Sequence, residues 1–310
     1  MFDLRYHVAS LAAVFIALAV GIVIGVAIAS GGGVEKTTLA AREDRIRDLE
    51  AELQQAEESI GNVEQRDRAV RELIEGAYPA LLEGRLEDEQ IGLVFLGPID
   101  PAVRSAVERT LTDSDAGPPA RVTALELPLD ALALEALIED DPALAAFGAE
   151  GGFEGLGRGL GRELASGGVT PVWEAVDELL VEESVGSLSQ ALDGVVVVRS
   201  WLPSEEPTSE EDQQSAEASS ALVDGILQGI EDVDARVIGV ERETEEPSNV
   251  PFFGDRGIST VDNLDQLPGR VALALLLAGG DPGHYGTKED ADAIAPPIEP
   301  VSAETVGEES

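Results

Sequence analysis

The sequence predicts an α/β protein in which an N-terminal transmembrane helix and a coiled-coil stalk precede a mostly parallel sheet domain. Three observations predict it: an uncharged apolar run near the start, a seven-residue apolar repeat after it, and short apolar strands alternating with helical segments beyond Glu89. The expected units are an anchor over 1–30, a stalk over 31–78, an acidic α/β domain over 79–287 and a disordered acidic tail over 288–310.

The anchor is the run Val8–Ala29, VASLAAVFIALAVGIVIGVAIA. As helix it reaches roughly 33 Å, enough for a hydrocarbon core of about 30 Å. A buried core helix would not need this length and purity. A cleaved signal peptide is the rival reading, with Ala27-Ile28-Ala29 as a small-x-small site, but the run exceeds a usual signal core. Ala13, Ala17, Gly21 and Gly25 fall four apart on one stripe, where small side chains let two membrane helices approach closely. The basic residues flanking the run, Arg5 before it and Lys36, Arg42, Arg45 and Arg47 after it, do not by themselves fix orientation. A short amino-terminal stub before a long acidic domain is the layout of a single-pass signal anchor with the bulk of the chain extracytoplasmic.

Gly31-Gly32-Gly33 is expected to loosen the helix before the stalk. Leu39, Ile46, Leu53 and Ile60 recur every seven residues, and Leu49, Ala56, Val63 and Val70 form the companion row. Sustained heptads among charged residues indicate a coiled coil, here a parallel homo-oligomer. The alternative is an amphipathic helix packed on its own domain.

Beyond the stalk, Ile91–Leu96, Arg121–Leu127, Gly194–Arg199 and Ala235–Val240 read as strands. Asp100–Leu111, Leu129–Glu139, Phe153–Ala165, Val172–Val181, Gln213–Ile230 and Pro268–Ala278 read as helices. The alternation indicates a mostly parallel, Rossmann-like sheet. A nucleotide site does not follow from it. There is no G-x-x-x-x-G-K-[ST], and the first strand runs into Gly97-Pro98-Ile99-Asp100 rather than G-x-G-x-x-G. The run Gly155-Leu156-Gly157-Arg158-Gly159-Leu160-Gly161 has the wrong spacing and reads as a loop or a helix start.

With 20 basic against 61 acidic residues, the formal charge is −41, which repels nucleic acid and favours cations or basic partners. The chain has no Cys, one Met at position 1, and His only at positions 7 and 284. Disulfides and thiolate chemistry are excluded. Soft Cu(I) wants sulfur and Cu(II) wants imidazole, so His284 is a weak metal candidate, and the acids Glu205, Glu206, Glu210, Glu211 and Asp212 read as a solvated loop. No serine-hydrolase elbow occurs. The chain is expected not to be an enzyme, with no evident cofactor, membrane lipid and envelope proteins as partners, and no nucleic acid.

Two segments carry a family resemblance: LRYHVASLAAVFIALAVGIVIG at the start, and Thr260-Val261-Asp262-Asn263, Gly269-Arg270 and Tyr285-Gly286 near the end. Together they resemble the actinobacterial MctB family, named for mycobacterial copper transport. The resemblance implies an envelope protein of copper export and homeostasis, placed in the outer membrane; copper enters by resemblance alone, and the alternatives are a coiled-coil envelope scaffold without transport activity or a small-molecule-binding sensor using the α/β cleft. The signature residues also have a structural reading, as a strand end, a turn and a Pro-started helix, with Arg270 pairing with Asp262 or Asp265.

Overall fold

The computed structural model describes residues 4–29, 32–142, 144, 146–147, 152–203 and 209–298. The chain divides between Arg71 and Glu72 into two units.

The first unit is helical. α1 (Leu4–Ala29) contains the 19-residue segment Ser10–Ile28, the one helix among the described residues long and apolar enough to cross a membrane. Its apolar side chains are exposed, as those of a helix meant for lipid are in a single chain. A Cβ added at Gly21 or Gly25 would meet nothing within 4 Å. α2 (Gly32–Leu82) starts earlier than the heptads predict, because Gly32 and Gly33 lie inside it; Gly31 lies outside the described residues. Ile46, Leu49, Leu53, Ile60, Val63 and Val70 are all more than half exposed. Ala56 shares that exposed stripe, while the side chain of Leu39 is outside the described set.

In the second unit seven strands form one sheet: β1 (Ile91–Leu96), β2 (Arg121–Leu125), β3 (Val181–Gly186), β4 (Gly194–Arg199), β5 (Arg236–Val240), β6 (Ser259–Val261) and β7 (His284–Tyr285). Their spatial order is β3-β2-β1-β4-β5-β6-β7, parallel except for β3, which runs antiparallel to β2. The connecting helices are α3 (Pro101–Asp113), α4 (Ala131–Asp140), α5 (Gly152–Ser166), α6 (Pro171–Leu180), α7 (Glu210–Glu231), α8 (Val250–Gly254) and α9 (Leu267–Leu277).

Both sheet faces are covered, which explains why the inner strands read as unbroken apolar runs. Val94, Leu96, Val195 and Val197 face a core with α4, α5, α6 and α7, while Leu93, Phe95, Val196 and Val198 face one with α3 and α9. Within the second unit, Tyr78 and Leu82 in the last turns of α2 pack against Val271, Ala274 and Leu275.

The structure corrects several expectations. The glycine run is the interior of α5. A Cβ at Gly157 would stand 2.2 Å from the Leu222 carbonyl oxygen, and one at Gly161 2.1 Å from that of Ile226. Across the contact, Gly225 and Gly229 of α7 meet the carbonyls of Glu154 and Arg158 at 2.0 and 2.2 Å. Two Gly-x-x-x-Gly faces therefore lie backbone against backbone, and this close approach overrides the poor helix propensity of glycine. Arg158 and Arg162 then hold Asp232 at the end of α7, each at 2.6 Å. Glu210, Glu211 and Asp212 are the first turn of α7, where acids suit the helix dipole, rather than a loop; Glu205 and Glu206 lie outside the described residues.

The tail expected from Lys288 onward is hydrogen-bonded to the domain in its described part. The Lys288 amide donates to Asp262 at 3.0 Å, Asp292 donates to the His284 carbonyl, and Pro296 is buried. Residues 299–310 lie outside the described set.

Candidate functional site

Strand order reverses between β1 and β4, so the connections from their carboxyl ends diverge and leave a crevice. A cleft of about 340 Å³ occupies this place, lined by the turn after β1, the ends of β4 and β5, and Asn249. Gly97 makes the turn with φ 111°; its Cβ would stand 2.8 Å from that of Trp201. The close approach lets the Leu96 carbonyl accept the amides of Ser200 at 3.0 Å and Trp201 at 2.8 Å.

Asp100 caps α3, one carboxylate oxygen accepting the amides of Ala102 at 2.8 Å and Val103 at 3.2 Å. Pro101 opens the helix and has no amide to offer. The helix terminus that could hold a phosphate is thus occupied by the protein's own carboxylate. The other Asp100 oxygen lies 3.2 Å from the Arg242 guanidinium, which also reaches Glu245 at 3.1 Å and is raised in pKa by Glu245 and then Asp100.

Glu241 is buried and fully engaged. It accepts the Ser248 hydroxyl at 2.7 Å, the Asn249 amide and the Lys288 ammonium. Asn249 accepts from the Arg199 guanidinium at 3.3 Å and donates to the Arg199 carbonyl at 3.1 Å. Arg199 and Arg256 stack over the Phe252 ring, at 4.1 and 3.8 Å from its centre.

The signature residues meet one strand further along. Thr260 and Val261 are buried in β6 and Tyr285 in β7. The wholly buried Asp262 receives the His284 imidazole at 2.8 Å and the amides of Thr287 at 2.8 Å and Lys288 at 3.0 Å. Gly286, at φ 149°, passes so close that its Cβ would sit 1.8 Å from Asp262 Oδ1. Gly269 lets the start of α9 lie on Asn263, whose carbonyl oxygen would be 2.2 Å from a Cβ there. Arg270 does not join Asp262; its guanidinium reaches the Asp265 carbonyl at 3.5 Å. The signature therefore builds a clamp that fastens residues 284–288 across the ends of β6 and β5.

His284 spends its Nε2 on Asp262, and no group of three or more His, Cys, Asp or Glu poised to hold a metal ion occurs among the described residues. This second unit offers copper no soft donor set.

Sequence reasoning missed the cleft residues Arg199, Glu241, Arg242 and Asn249 and the lysine strap. The available signal was the pair VVVVR and VIGVER, in which a charge follows directly on a buried parallel strand and so stands at its carboxyl end.

A helix long and apolar enough to span a membrane, followed by a mostly parallel α/β domain with a cleft at its switch point, defines the class as a protein with one candidate membrane span and a sheet domain. The chain belongs to the MctB family, described as copper transport outer membrane protein, whose model matches residues 1–296. The family is one of transport proteins, and the chain is not an enzyme. No curated protein matches the chain.

Proposed function

We propose that this is an envelope protein of copper export and homeostasis, anchored by α1 with its bulk extracytoplasmic, and working as a parallel homo-oligomer. The match to the copper transport family over residues 1–296 carries the copper assignment, and the family's description is the ground for placing the chain in the outer membrane. Copper is cargo in this reading, not a resident cofactor. A lone apolar helix lines no pore, so transport requires assembly with further copies or with other envelope proteins.

The assembly reading rests on two exposed stripes, Ala13–Gly25 in α1 and Ile46–Val70 in α2. Leu39 extends the second stripe by sequence. The strand order supports a Rossmann-like reading of the domain. Copper content and copper tolerance of a deletion strain test the proposal. Accumulation with sensitivity is expected, and unchanged values would sink the transport assignment. In that event the exposed α2 stripe favours the second reading, a coiled-coil envelope scaffold without transport activity.

A further inference from the structure

We infer that β3 is a docking edge: it accepts one more strand, an extended basic segment of another protein, by main-chain pairing along Glu182–Gly186. The inference goes beyond copper transport and does not depend on it.

An open sheet ends in two strands whose outer N–H and C=O groups have no ladder partner. Here the two ends are treated differently. At β7 the chain closes the edge itself: Asp292 donates its amide to the His284 carbonyl at 2.8 Å, Gly286 donates to the Ala293 carbonyl at 3.0 Å, and Tyr285 bridges Ala293. Nothing comparable occurs at β3, which pairs with β2 alone. Among the described residues, no backbone group from Glu182 to Gly186 is bonded on the side away from β2. Glu182, Ser184 and Gly186 are exposed, and Val185, a β-branched apolar side chain, is 51% exposed. The register is regular from Glu183 to Gly186, so successive amides there alternate between β2 and the open side.

What guards this edge is charge, and charge also selects the occupant. α6 runs straight into β3, and from Pro171 to Gly186 the two carry five acids, Glu174, Asp177, Glu178, Glu182 and Glu183, and no base. Arg104 meets Glu183 at 2.8 Å; among the described residues no base meets the other four. A second copy would bring the same acidic edge against itself, and like charges facing one another destabilise a pair of strands. A strand carrying Lys or Arg meets the edge favourably. Its main-chain bonds supply affinity, and its side chains distinguish it from other strands.

The test uses the full chain in neutral detergent micelles at fixed ionic strength, with end-blocked fluorescent peptides. The first is Lys-Val-Lys-Val-Lys-Thr-Lys. The second has Glu for every Lys. The third keeps the basic sequence but carries a methyl group on every peptide nitrogen, which removes the main-chain donors and leaves the charge. By fluorescence anisotropy the first should bind, and the other two at least about tenfold more weakly. Amide hydrogen exchange should slow within 182–186 when the first is bound. Of Ser184→Pro and Val185→Pro, one removes an amide on the open side and the other an amide bonded to β2. The variant with the higher thermal midpoint should therefore bind the peptide at least about tenfold more weakly than the wild type. If both variants fail to fold, the methylated peptide and the exchange map decide. The proposal is overturned if the methylated or the acidic peptide binds as well as the first, if exchange within 182–186 is unchanged by the bound peptide, or if no peptide binds.

Discussion

Asp262 shows how one side chain can hold a segment that has little secondary structure of its own. Its carboxylate is wholly buried yet satisfied by an imidazole and two amides, so the geometry closes only with Gly286 in its unusual conformation. Gly286→Ala combines a disfavoured φ with a Cβ at 1.8 Å from the carboxylate, and Asp262→Ala leaves buried donors unpaired. Each should cost about 3–5 kcal/mol in denaturant unfolding. Tyr78 gives a pH signature. Burial, then the Asp113 carboxylate that accepts its hydroxyl at 3.0 Å, pushes its phenol from 10.0 up to about 12. A raised folded value means the contribution is whole below pH 10.0 and lost as pH rises through about 12. Phenolate absorbance should show a high-pH step in the wild type that Tyr78→Phe removes. None of this was readable beforehand: the sequence offered Asp262 and Arg270 as neighbours, whereas Asp262 is met by residues more than twenty positions further along.

At the scale of elements, what could be read was what local pattern decides. The buried strands β1, β2, β4 and β5 are short and mostly apolar, α3 and α6 begin with Pro and α9 has Pro as its second residue, so both classes announced themselves. β3 (VEESVG) did not, because an edge strand has one solvated side and carries Glu182 and Glu183. β6 and β7, three and two residues long, exist through long-range pairing alone. The α5–α7 crossing also lay beyond local pattern, and it inverts a rule that can be measured. Gly→Ala normally favours a helix by about 1 kcal/mol. Gly76→Ala, in open space on α2, should follow the rule, whereas Gly157→Ala and Gly229→Ala should destabilise by about 1–3 kcal/mol through backbone clash. Thermal midpoints moving the same way at all three sites would refute the close crossing. For α2, cysteines at Leu49 or Ala56 should crosslink to their symmetry mates in membranes, and Leu53→Asp with Ile60→Asp should abolish that crosslink. Failure at both positions would leave the stalk without a partner helix.

For the whole molecule, the anchor and the acidic domain together make a topological prediction. Protease added to intact spheroplasts should degrade everything beyond Ala29, and full protection would reverse the orientation. The clamp on residues 284–288 bears on how such a chain is delivered. Synthesis and passage across a membrane proceed from the amino end, so Glu241 and Asp262 emerge well before Lys288, whose ammonium and amide they respectively require. Burying two carboxylates ahead of their partners is costly. If the bulk of the chain crosses a membrane as proposed, the clamp on Asp262 and Glu241 can close only after Lys288 has followed, so the last contact of the domain is also one of the last to emerge.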